Sequence, residues 1–148
     1  MPDYAGAEQA IEARLLENWN TTPAVMMNDP LPDLVDPDTN MPIPAWVLCE
    51  ILETDRNTES FGTPGGSAML SMGIINLHVF VTVGGGRALQ RQYCESLGQI
   101  FQKKEFYQSP GYAVRSWVPH ILGGDSRSDD GNWFVRTVAI PFEFWHLG

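Results

Sequence analysis

From Ile74 to Val83 the side chains alternate, and at Gly84-Gly85-Gly86 the period of two gives way to that of a helix. Ile75, Leu77, Val79, Val81 and Val83 fall on one face. Asn76, His78 and Thr82 fall on the other, together with Ile74 and Phe80. That alternation is a strand with at least one buried face. Glycine reaches backbone angles that other residues adopt only at a cost, so strand and helix can meet sharply. From Arg87 onward, Leu89, Tyr93, Leu97, Ile100 and Phe101 form an apolar stripe, and the helix is expected to run to Phe106. A strand, a glycine turn and a packed helix form the centre of a small α/β unit.

A glycine-rich turn ahead of a helix is also where phosphates bind. Here Gly84-Gly85-Gly86-Arg87-Ala88 lacks the Lys-Ser/Thr of a P-loop, and its spacing is not that of the dinucleotide fingerprint. The turn reads as a hinge. The chain has 148 residues, 43% of them hydrophobic and 11% aromatic, which suits one domain, residues 1–148, with a true core. Its net charge is -9, and such a surface repels nucleic acid. The one adjacent basic pair, Lys103-Lys104, is expected in the last turn of the helix, where cations suit the helix dipole.

Cys49 and Cys94 are far apart and belong to no CxxC, so both read as reduced, buried thiols. There is no leader-like start and no run of 18 apolar residues, so a soluble protein made in a cytoplasm is expected. His78, His120 and His146 form no ligand motif. Asp36-Pro37-Asp38-Thr39-Asn40 begins like a calcium loop, but Met41 stands where glycine is needed and Val47 where glutamate is needed. Those side chains are expected to cap turns instead. No Gly-x-Ser-x-Gly elbow occurs. The expectation is that there is no catalytic residue, no metal site and no cofactor.

Along the chain, Ala5–Trp19 reads as a helix, with Ala10, Ile11, Leu15 and Trp19 on one side. Residues 20–45 are a proline- and aspartate-rich connection. Trp46–Glu53 reads as a strand, and residues 54–72 as a second irregular segment that carries Phe61, Met69, Leu70 and Met72. Ala113–Ile121 is a third strand, 123–131 a polar turn, and Trp133–Trp145 the last strand. The order α-β-β-α-β-β implies an α+β fold with a mixed, mainly antiparallel four-stranded sheet and helices on one face. Pro141 cannot donate to a ladder, which puts the last strand at an edge or at a bulge.

Three features together resemble the tail terminator, or tail-completion, proteins of long-tailed bacteriophages and gene-transfer particles. They are the aromatic strand Ala45-Trp46-Val47, the strand from Gly73 through Val83 that passes Gly84-Gly85-Gly86 into a helix, and the stretch Trp133-Phe134-x-Arg136-x-Val138-x-Ile140-Pro141-Phe142-x-Phe144-Trp145. The resemblance implies a structural virion protein at the head-proximal end of the tail, assembled in the host cytoplasm. Such a protein forms a homo-oligomeric ring, a hexamer in the family, on the tail tube. It ends tube polymerisation and presents a surface to the neck or head-completion protein. DNA would pass through the ring without specific binding, which the acidic balance suits. No membrane is involved. The expected interface residues are Phe61, Met69, Leu70, Met72 and Trp145. Two other classes stand beside this one: another neck or tail-tube protein, and a small cytoplasmic enzyme or ligand-binding domain.

Overall fold

The computed structural model describes residues 4–27, 29–30, 35–41, 43–58, 68–82, 87–109, 111–127 and 133–147, with side chains for all of these except 56–58, 68, 123–127 and 147. The chain is α+β. Its elements are α1 (Tyr4–Asn18), β1 (Ala24–Met26), β2 (Ala45–Thr58), β3 (Ala68–Thr82), α2 (Arg87–Phe101), β4 (Glu105–Ser109), β5 (Tyr112–Ser116), β6 (His120–Arg127) and β7 (Trp133–Leu147). The strands form one seven-stranded sheet in the order β1-β2-β3-β7-β5-β4, with β6 also on β7. Only β1 on β2 is parallel among the described pairs.

This sheet is larger than the four-stranded one expected from the sequence, and the differences have local causes. Within the segment expected to be irregular, residues 54–58 and 68–72 are strand, and 59–67 lie outside the described residues. β2 continues to Thr58 and β3 begins at Ala68. The alternation is masked because β2 bulges between Glu53 and Asp55, which shifts its register on β3. Met69, Leu70 and Met72 are therefore strand residues. Phe61 lies outside the described residues. β1 was hidden in the proline-rich connection because it has only three residues. Further along that connection the turn chemistry is as expected. The Asp36 carboxylate accepts from the Asp38 N–H at 2.9 Å, and Asn40 takes the left-handed region at φ 56.

α2 stops at Phe101, short of Phe106. Lys103 turns the chain at φ 50, a left-handed cap, and the Ser116 hydroxyl donates to the Phe101 carbonyl. The Ser116 N–H also donates to the Lys104 carbonyl at 2.9 Å. Lys103 and Lys104 thus follow the helix instead of ending it, and β4 takes up residues 105–109. The expected strand Ala113–Ile121 is two strands, and β6 carries on into the expected 123–131 turn. β5 pairs with β7 as far as Ser116 opposite Phe142, and β6 resumes with His120 opposite Ala139.

That break explains Pro141. β7 is not at an edge but between β3 and the β5/β6 pair. The Pro141 carbonyl accepts from the Trp117 N–H at 2.9 Å, so Pro141's nitrogen faces the same side, where residues 117–119 leave the ladder. The missing donor falls where β5 has ended and β6 has not yet begun.

The inner sheet face carries Val47, Cys49, Ile75, Leu77, Val79, Val138, Ile140, Phe142 and Phe144. These pack in one cluster with Ala7, Ile11 and Leu15 of α1 and with Cys94, Leu97 and Phe101 of α2. Burying each large apolar side chain contributes about 1.5–3 kcal/mol. Polar anchors fix the helices. The buried Gln90 amide donates to the carbonyls of Val79 and Phe134 at 3.1 and 3.2 Å, tying α2 to both central strands. Arg14 donates to the Ile100 carbonyl at 2.8 Å, and its guanidinium lies 5.3 Å from the centre of the Phe106 ring. Cys49 and Cys94 are free and buried. Burial pushes their thiols up, to about 12 and about 11 respectively.

Candidate interface on the uncovered sheet face

Both helices pack on the inner face, so alternation sends the other half of each strand to a face that no described helix covers. Register assigns its rows. Leu52 lies opposite Ile74, and Ile74 opposite Pro141. Asp55 lies opposite Met72, and Met72 opposite Glu143. Leu70 lies opposite Trp145. Three of the residues expected at an interface, Leu70, Met72 and Trp145, are thereby brought to one end of this face. Met69 is opposite His146 and one step out of phase, on the other side.

The patch is unevenly exposed. Leu70 is buried, Trp145 is half-buried, and Met72 is 39% exposed. Trp117 and Leu52, neither of them anticipated from the sequence, are 42% and 45% exposed. Trp117 stood within the strand expected over Ala113–Ile121. It is displayed because the chain leaves the ladder there. Glu143 organises the aromatics, accepting from the Trp117 indole at 3.1 Å and from the Trp145 indole at 2.8 Å. Beside Trp145 a concavity of about 620 Å³ is lined by the β4–β5 hairpin, including Tyr112 and the Glu105–Arg115 ion pair at 3.0 Å.

Higher on the same face, Trp46 stacks on Phe80 with ring centres 4.1 Å apart and meets Trp133 edge-on at 6.2 Å. Between the two aromatic regions is a polar row. His78 lies 2.8 Å from the Thr137 hydroxyl and 3.4 Å from Glu50, which also accepts from Asn76 at 3.5 Å. A histidine beside an acid is what an enzyme reading would look for. Here the pair is held by strand neighbours on an open sheet face. Among the described residues no group of three or more His, Cys, Asp or Glu is placed to hold a metal ion, and no helix is long and apolar enough to cross a membrane.

The β1–β2 margin is acidic. Burial raises the Glu8 carboxyl above its ordinary value, and repulsion from Glu12 and Glu53 adds to it. Burial also raises Glu12, with Asp29 adding to it. A carboxyl whose folded pKa exceeds its unfolded one binds protons more readily when folded. It therefore costs stability above the raised value, and that cost is relieved as pH falls through it toward about 4.5. Glu12→Gln is expected to raise the melting temperature at pH 7.5, by less than about 1 kcal/mol in stability. The gain should shrink toward pH 4.5, as thermal melts at both pH values would read. A lower melting temperature at pH 7.5 would refute it.

No family model matches the chain, and no curated protein matches it. Several solved structures share the fold, and one of them aligns over 97% of this chain and 96% of its own, with a TM-score of 0.68 and 16% identity. Its name states no function, and a likeness at that identity shows the fold alone.

Proposed function

We propose that this chain is a tail terminator: a structural protein that closes into a ring on the head-proximal end of a phage tail tube, stops its growth and offers a surface to the neck. Two lines support the reading. The first is the resemblance carried by Ala45-Trp46-Val47, the strand–glycine–helix centre and the aromatic last strand. The second, which carries most weight, is the uncovered sheet face with Leu52, Met72 and Trp117 exposed on it. A lone chain gains little by displaying such a surface, whereas a subunit or tail partner can bury it. The reading assigns the chain no catalysis, no cofactor and no metal. Its acidic balance suits a lumen through which DNA slides without sticking.

Electron microscopy of the purified protein, alone and with tail tubes, tests it. Closed rings or capped tubes of uniform length are expected. Met72→Lys would put a charge into the buried contact at a cost of several kcal/mol, while in the monomer its cross-strand neighbours Asp55 and Glu143 are of opposite sign. Its tubes should run long. If the wild-type protein neither forms rings nor caps tubes, the reading is wrong. Filaments that grow without limit would instead identify a tube subunit, because a heterologous contact that fails to close runs on as a fibre.

A further inference from the structure

The two ends of the sheet differ in sign. Of the 18 acidic residues, twelve lie in residues 1–59, where Arg14 and Arg56 are the only basic ones; the remainder of the chain holds the other seven of nine basic residues. Only part of that asymmetry reaches the ends of the strand order: β1 and β2 stand at one end, and of the seven basic residues Lys103, Lys104 and Arg115 stand near β4 and β5 at the other, Arg115 being paired with Glu105. At the β1–β2 margin Asp29 and Glu53 are exposed, with Glu8 and Glu12 near them, and so are the apolar side chains of Met27 and Leu52. At the far corner the exposed Lys103 and Lys104 follow α2, joined to the 117–119 link by the Lys103 N–H donating to the Trp117 carbonyl at 3.3 Å. Trp117 and Val118 are 42% and 44% exposed there. Each end thus offers exposed apolar side chains edged by charge: carboxylates at one, and at the other the two lysines, with Glu143 also held on the Trp117 indole.

We propose that the acidic β1–β2 margin of one copy docks on the Lys103–Lys104 and Trp117–Val118 corner of the next copy, head to tail. This rests on the ring reading and names the surfaces that would close it. Apolar burial supplies the energy, and charge sets partner and register. Two acidic margins facing each other would repel, so the contact is heterologous, as a ring requires. Uncontrolled strand addition along β2 is discouraged by its bulge at Glu53/Asp55 and by its charged side chains, which leaves a side-chain contact.

Light scattering and sedimentation of the full chain at low and high salt test the proposal, using Asp29→Lys with Glu53→Lys as one variant and Lys103→Glu with Lys104→Glu as the other. All four positions are exposed, and unchanged thermal melts would verify the fold. The wild type is expected to self-associate more weakly as salt rises. Each variant alone should associate at least about tenfold more weakly, roughly 1.4 kcal/mol. An equimolar mixture of the two should recover association, because each then meets its opposite. Variants that associate like the wild type, or a mixture that fails to recover, would overturn the surfaces while leaving rings on tubes intact. A wild type that stays monomeric in solution would also overturn the proposal, and the terminator reading would still be decided separately by capping of tail tubes.

Discussion

Replacing Gly73 with alanine is expected to destabilise the protein by about 3 kcal/mol or more, at the upper end of overpacking costs. A Cβ there would stand 2.4 Å from the Leu52 carbonyl oxygen and 2.7 Å from the Phe142 ring. Side chains can turn away, but the Leu52 oxygen belongs to the backbone of β2, directly beside β3 in the ladder. Trimming the ring with Phe142→Leu in the same chain should therefore restore little. Chemical denaturation of the single and double variants would measure both effects. A loss under about 1 kcal/mol for Gly73→Ala, or full rescue by the second change, would show that β2 yields easily.

Phe144→Ala should cost about 3–5 kcal/mol, the usual range for truncating a buried aromatic. Phe144 is fully buried on β7 and has Tyr107 at 6.1 Å and His146 at 4.8 Å between ring centres. Because β7 is held on both sides, its backbone cannot easily collapse into the void. That loss is a large fraction of the 5–15 kcal/mol that typically holds a domain together. Met72→Ala, on the open face of the neighbouring strand, should change stability by well under 1 kcal/mol. If the two substitutions prove equally costly, the open face is packed in solution.

The core was legible in the sequence because long, clean alternation survives: Ile75 to Val81 and Phe134 to Phe144 point where their period says. The α2 stripe at Leu97 and Phe101 was legible for the same reason. What was lost lies wherever the ladder is interrupted. A bulge at Glu53/Asp55 made two long strands look like loop. A left-handed Lys103 ended α2 early, and the hydroxyl that caps it belongs to Ser116, 15 residues further on. Pro141 implied an edge, yet the sheet accommodates it by breaking the neighbouring strand. The candidate interface was half legible. Leu70, Met72 and Trp145 were named as apolar residues in search of a partner, but their meeting on one face depends on β3–β7 register, which no local pattern encodes. Trp117 was missed because its exposure depends on the break at 117–119.

The position of β7 also bears on how the protein is made. β7 follows all the other described strands in sequence, yet it lies in the middle of the sheet, bonded along its length to β3 and on its far side to β5 and β6. While a ribosome is still making the segment before Trp133, β3 has no partner on one side, and β5 and β6 have no route to the rest of the sheet. The nascent chain then holds helices and a β2–β3 pair with an unsealed apolar face. Pairing across such long sequence separations is slow, and exposed strand edges invite association with the wrong neighbour. Chains still on neighbouring ribosomes are therefore sticky until the fifteen residues of β7 arrive, and a truncation that removes β7 should yield aggregates in place of a smaller folded protein.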